Sequence, residues 1–270
     1  METFRKHLPE YLMEAALLGL FMIAAGVFTL LFEYPSSPVH QAISQGDVRR
    51  FFIGIAMGTT AISLIYSPWG KQSGAHMNPA VTLTFYRLGK VKSQDAFFYI
   101  LFQCLGGLIG VYLVALIFNQ AFTQPPVHYV VTVPGLLGWS GALLGELLIA
   151  FIMMMTVLLT SNHKQLSRYT GLFAGCLVIL YVTFEAPFSG FGMNPARSFA
   201  SAFPAQTWTA FWLYVMVPPI GMVLAAELYQ SLFGKRAVKC AKLNHNNHKR
   251  CIFRCSYNRN GSMDLSDRLT

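Results

Sequence analysis

An all-helical membrane protein is the fold class this sequence predicts, with six transmembrane helices and two short re-entrant half-helices arranged as an inverted repeat. Three observations carry that reading. Of 270 residues, 54% are hydrophobic and only 11% charged, with mean hydropathy +0.46, where a soluble domain carries about 25% charged residues. The apolar residues come in continuous runs rather than in alternation, which selects helices over a β-barrel. One phrase is also written twice, as Asn78-Pro79-Ala80 and Asn194-Pro195-Ala196, once in each half.

The elements follow in order. The first span covers 11–32 and carries Glu14 near its start. A polar loop with Pro35 and Pro38 leads to the second span, 50–67, where Gly54 and Gly58 have small-xxx-small spacing for close helix contact. Pro68, Trp69 and Gly70 break it, and the first Asn-Pro-Ala segment re-enters. Arg87, Lys90 and Lys92 stop that segment, and the third span is 96–118, with Gly106, Gly107 and Gly110. The loop 119–138 contains no Lys, Arg, Asp or Glu, which places it outside. The fourth span, 143–160, carries Glu146 early, as the first carries Glu14. His163, Lys164 and Arg168 form a basic loop before the fifth span, 169–186, with Gly171 and Gly175. The second Asn-Pro-Ala segment re-enters from Pro187 onward. The sixth span is 208–232, which Pro218 and Pro219 are expected to kink.

Charge fixes orientation. The net charge of +9 could suggest nucleic acid, but the basic residues sit at the ends of apolar runs and in the C-terminal tail, the positive-inside pattern, so no nucleic-acid partner is expected. Six spans with both termini cytoplasmic satisfy it. Arg49 and Arg50 are exceptions on the outer side, with Glu33 and Asp47 near enough to neutralise them. The N-terminal apolar run is long enough to stay as a span rather than a cleaved signal. Five cysteines give no disulfide framework.

The repeated phrase reads as a helix start. Asn is a strong N-cap, its side-chain oxygen accepting from an amide of the first turn, and proline fits the first helical position. About 11 residues follow from Asn78, or about 16 Å of helix, against a hydrocarbon core of about 30 Å. Each half holds three spans, so the halves are oppositely oriented and function is expected at the midplane where broken helices meet. Two facing helix N-termini concentrate positive potential. The backbone of Gly74, Ala75 and His76, and of Gly190 to Gly192, belongs to no helix, and such backbone is tolerated at membrane depth only along a wet cavity. Arg197 lies near a helix N-terminus, where the macrodipole disfavours a cation, and at a depth where charge is expensive and functional by default. A pore-facing role and an ion pair with Glu185 are the two readings. Glu14 and Glu146 are intramembrane carboxylates, either braces for the re-entrant loops or proton sites.

The stretches Ser73-Gly74-Ala75-His76-Met77-Asn78-Pro79-Ala80-Val81-Thr82 and Ser189-Gly190-Phe191-Gly192-Met193-Asn194-Pro195-Ala196-Arg197-Ser198 resemble the aquaporin (major intrinsic protein) family. The resemblance covers about 8–232 and implies a channel domain, 1–232, with repeats 8–118 and 137–232. It implies a water channel with single-file permeation and proton and ion exclusion. It places Arg197, Phe191, Val182 and Met57 in the outer filter, with Gly58 as the alternative to Met57. Val182 and Met57 stand where water-selective members have His and Phe, Phe191 resembles the glycerol-facilitator filter, and Ser198 resembles the water channels. Water is therefore expected, with glycerol or other small neutral solutes. The resemblance also implies a homotetramer in the lipid bilayer of the plasma membrane. No cofactor is expected, and no enzymatic activity, since no nucleophile–base pair or metal motif sits near the midplane. The rival classes are a proton-coupled secondary transporter with inverted repeats and a structural membrane protein with a vestigial pore.

The tail, 233–270, is basic, rich in Asn and Ser, and is expected to be disordered or weakly structured, and cytoplasmic. His245, His248, Cys251 and Cys255 have a spacing that could ligate zinc, but paired Cys-x-x-Cys spacing is absent, which favours an incidental cluster and no metal. Asn260-Gly261-Ser262 matches a glycosylation acceptor on the wrong side of the membrane.

Overall fold

The computed structural model describes residues 2–257. The long helices run Glu2–Glu33, Gly46–Tyr66, Ser93–Phe118, Gly138–Ser161 and Phe211–Phe233. A sixth transmembrane stretch is composite: the α-helix Thr170–Leu180 continues through a π-helical turn, Tyr181–Glu185, into Ala186–Ser189. All six are long and apolar enough to cross a membrane. Between them lie the two short helices Pro79–Arg87 and Pro195–Ala205, of 9 and 11 residues. The first helix begins well before the expected start, because Arg5 and Lys6 extend it beyond its apolar run. The last runs unbroken through Pro218 and Pro219.

Glycines set the closest crossings. A Cβ on Gly58 would come 2.5 Å from the carbonyl oxygen of Gly175, and one on Gly175 would come 2.7 Å from that of Gly58, so the second and fifth spans touch backbone to backbone. In the first and third spans, Cβ atoms on Gly106 and Gly110 would run into the backbones of Ala15 and Gly19. Gly221 brings the sixth span against Leu147 O of the fourth, at 2.7 Å from its notional Cβ. Lipid offers no hydrophobic drive for helix association, so such contacts gain from dispersion. Leu116, Ile117, Leu144 and Leu148 face outward, exposed. Arg49 pairs with Glu33 at 3.1 Å and Arg50 with Asp47 at 2.9 Å, which resolves the two exceptions to the charge pattern.

The C-terminal segment departs from its expected disorder. Residues 235–257 carry no helix or strand, yet Val238, Cys240, Ala241, Lys242, Leu243 and Phe253 are buried against the helical body. Lys242 gives its ammonium protons to the carbonyls of Lys249 and Arg250 at 3.2 and 2.7 Å, and burial lowers its pKa. Composition predicts disorder because these residues have no amphipathic period; they are ordered instead by contacts with distant parts of the chain. The Asn260-Gly261-Ser262 site lies outside the described residues.

Candidate functional site

The two short helices meet end to end, and their N-caps are shared between the halves. Asn78 Oδ1 accepts from Ala80 N at 2.8 Å, and Asn194 Oδ1 accepts from Ala196 N and Arg197 N at 3.1 and 3.2 Å. Each Asn amide then crosses the junction. Asn78 Nδ2 donates to Met193 O at 2.9 Å, and Asn194 Nδ2 donates to Met77 O at 2.7 Å. Pro79 and Pro195 occupy the first helical position in both copies, followed by the buried Ala80 and Ala196.

The approach loops match residue for residue. Gly74 and Gly190 are left-handed (φ 101° and 85°), as are Ala75 and Phe191 (56° and 53°) and Met77 and Met193 (47° and 48°). A non-glycine residue in that region costs about 1–2 kcal/mol, so each loop needs a brace, and a carboxylate supplies it. Glu14 accepts from Ser73 Oγ (2.7 Å), His76 N (3.0 Å), Met77 N (2.6 Å) and Gln103 Nε2 (2.8 Å). Glu146 accepts from Ser189 Oγ (2.8 Å), Gly192 N (2.6 Å) and Met193 N (2.5 Å). Both carboxylates are fully buried.

Sequence reasoning missed a second pair of braces. Tyr99 donates its hydroxyl to Ser73 O at 2.7 Å, and Tyr214 donates to Ser189 O at 2.6 Å. Ser73 and Ser189 each also accept from the amide two residues on, at 3.2 and 3.0 Å. The signal available was the serine five positions before each Asn-Pro-Ala; nothing in the sequence pairs the tyrosines with it.

With the loops so held, the carbonyls of Ala75, His76, Gly190, Phe191 and Gly192 accept from no described residue. Gly74 O accepts from Leu243 N at 3.1 Å. Buried polar groups are otherwise almost always paired, so these acceptors are available to a ligand that donates.

On the side opposite the termini, Arg197 makes no ion pair among the described residues, with Glu185 or any other carboxylate, and its Nη1 is buried without a partner. The Tyr181 hydroxyl, Thr132 Oγ1 and both Glu185 oxygens are likewise unpartnered. Phe191 packs on Tyr181 with ring centroids 5.9 Å apart. Met57 and Val182 belong to one buried cluster that Phe191 packs against. Gly58 is committed to the Gly175 crossing. A cavity of about 450 Å³ opens beside Val182, lined also by Ile53, Arg49 and Arg50.

The family model described as major intrinsic protein matches residues 5–229. A probable aquaporin NIP-type of Nicotiana alata is 32% identical over 208 residues, covering 76% of this chain and 74% of that protein. Aquaporin-4 of Mus musculus is 34% identical over 192 residues, covering 69% of this chain and 57% of its own length. The fold matches the X-ray structure of the aquaglyceroporin from Plasmodium falciparum with a TM-score of 0.72 at 20% identity, over 86% of this chain and 98% of that one.

Proposed function

The chain belongs to the major intrinsic protein family, and on that premise we propose that it is a passive transmembrane channel for water that also admits small neutral solutes and excludes protons and ions. The observation that carries the reading is the pair of unpartnered carbonyl runs flanking the two asparagine caps. An amide nitrogen carries two hydrogens. One on each of Asn78 and Asn194 crosses to the other loop, leaving the second for the lumen. A water at the junction accepts both and turns its own hydrogens outward, toward the carbonyls on either side. That orientation interrupts a proton wire, and the two helix N-termini, each equivalent to about half a positive charge, repel cations.

Arg197, Phe191, Val182 and Met57 form the outer filter in this reading. Gly58 is spoken for by the helix crossing, which favours Met57. With Val182 and Met57 both apolar, the constriction suits the carbon face of a polyol as well as water. A proton-coupled carrier is not favoured: Glu14 and Glu146 already accept from fixed backbone amides through both oxygens. The basic ends Lys6, Lys90, Lys92, Lys164, Lys235 and Arg236 support cytoplasmic termini. A plasma-membrane homotetramer rests on family membership.

Stopped-flow light scattering on proteoliposomes tests the proposal. Osmotic shrinkage faster than in empty vesicles, with glycerol re-entry following, is expected. Folded protein giving neither would refute an open channel, and shrinkage without glycerol entry would restrict the substrate to water.

A further inference from the structure

The C-terminal segment brings four metal-binding side chains to one point. The sulfurs of Cys240, Cys251 and Cys255 and a ring nitrogen of His245 all lie within 4.8 Å of one another. Cys255 Sγ stands 3.0 Å from His245 Nε2, and Cys240 Sγ stands 3.5 Å from Cys251 Sγ. Ligands held at about 2.0–2.3 Å in a tetrahedron are separated by roughly 3.3–3.8 Å, so the cluster needs little adjustment to close on an ion. The sequence suggests His248 as a ligand; the structure puts Cys240 in its place. Three thiolates and one imidazole select a borderline-soft cation with tetrahedral preference and fill every position, as in a structural zinc site.

The chelate loops are also the part of the tail that reaches the carbonyl path. Ala241 and Leu243 lie between the first two ligands. His76 Nε2 is 2.8 Å from Ala241 O, and Leu243 N donates to Gly74 O. Phe253 lies between the last two ligands, and its ring is parallel to that of His76 (8°, 5.3 Å between centroids). The matched acceptor in the other half, Gly190 O, meets no donor among the described residues. At this carbonyl the two loops therefore differ by the tail. Further anchors tie the segment across the termini face: Lys239 N to Asn162 Oδ1 at 2.7 Å, Arg254 N to Lys90 O at 3.0 Å, Tyr257 Oη to Ser161 O at 2.7 Å, and Arg250 to Glu10 at 3.3 Å.

We propose that Cys240, His245, Cys251 and Cys255 bind one Zn²⁺ ion, and that the ion holds residues 240–255 as a plug seated on Gly74 and His76, narrowing the termini-side mouth of the pore without sealing it. Metal binding displaces the thiol protons to solvent; losing the ion unties both loops at once. The metal site stands independently of the channel reading, whereas the plug rests on it.

The full-length protein, purified without chelator from zinc-supplemented cells, is assayed for metal by mass spectrometry and for water permeability in proteoliposomes. One zinc per chain is expected, lost in C240S and C255S and kept in H248A. The permeant chelator TPEN is expected to raise permeability roughly ten-fold, within the usual span of a coupling between sites. L243P, which removes the donor to Gly74 O, and F253A are expected to raise it while keeping zinc. Protein without zinc, or with Cys240 and Cys251 joined as a disulfide, overturns the metal site. Zinc at full occupancy with permeability unmoved by TPEN, L243P and F253A overturns the plug. Folded, zinc-loaded protein that passes no water under any of these treatments overturns the channel reading, and the plug with it.

Discussion

Replacing Glu146 with glutamine keeps its size and removes one acceptor. The carboxylate is fully buried and takes Ser189 Oγ and Gly192 N on one oxygen and Met193 N on the other. A glutamine amide faces a backbone N–H with its own NH₂ whichever way it turns. If its oxygen replaces the first carboxylate oxygen, Met193 N is orphaned; the reverse turn orphans Gly192 N. A charge-assisted bond of about 1.5–3 kcal/mol is lost and an unmet buried donor costs about 1–3 kcal/mol, two overlapping terms that together come to about 3 kcal/mol. The left-handed Phe191 and Met193 push the same way, since relaxing them releases strain. About 3 kcal/mol is a shift on the order of a hundred-fold in the equilibrium between ordered and released loop. E146Q is expected to melt at lower temperature in detergent and to lose most of its water permeability, equally in acid and alkaline buffer, because no proton is transferred. A variant with the parent's melting temperature and full flux would refute the bracing role. A pH-dependent flux loss at unchanged stability would restore the carrier.

Tyr214→Phe and Tyr99→Phe each remove one hydroxyl donor to a serine carbonyl and are expected to cost about 1 kcal/mol apiece, read as similar small drops in melting temperature; a large difference between the two would break the equivalence of the halves. Gly58→Val drives a side chain into Gly175 O and Ile179, and overpacking of about 1–3 kcal/mol or more should appear as poor folding yield; a normal yield would mean the second and fifth spans do not touch there. Arg197→Val installs the residue type of its counterpart, Val81, and is expected to speed glycerol entry and admit protons, measured with a pH-sensitive dye inside vesicles. Unchanged proton exclusion would remove Arg197 from the filter.

Where the chemistry is local, the sequence was readable. An asparagine before a proline caps a helix through atoms only two positions apart, so Asn78 and Asn194 announce their own geometry. Length alone separated the six spans from the two half-helices. Glu14 and Glu146 stood out because charge at membrane depth needs a reason, although their partners lie some 43 to 89 residues away. Tyr99 and Tyr214 did not stand out, since tyrosine in an apolar helix is unremarkable until its hydroxyl finds a distant carbonyl. Counting alone does not separate Gly58 from Met57; the contact of Gly58 with Gly175 is a tertiary fact that supports the Met57 reading. Residues 235–257 escape such a reading for the opposite reason. Its order comes from contacts with Gly74, His76, Lys90 and Asn162, none of which leaves a period in the sequence.

The crossed asparagine bonds also constrain how the protein can be made. Asn78 reaches its acceptor only when Met193 has been synthesised, 115 residues later. At about 5–20 residues per second, that is a wait on the order of ten seconds. Through that interval the first half, already threaded into the membrane, holds an incomplete cap with a donor that hydrocarbon cannot satisfy. The two halves, separately expressed, should therefore form this junction only when present together.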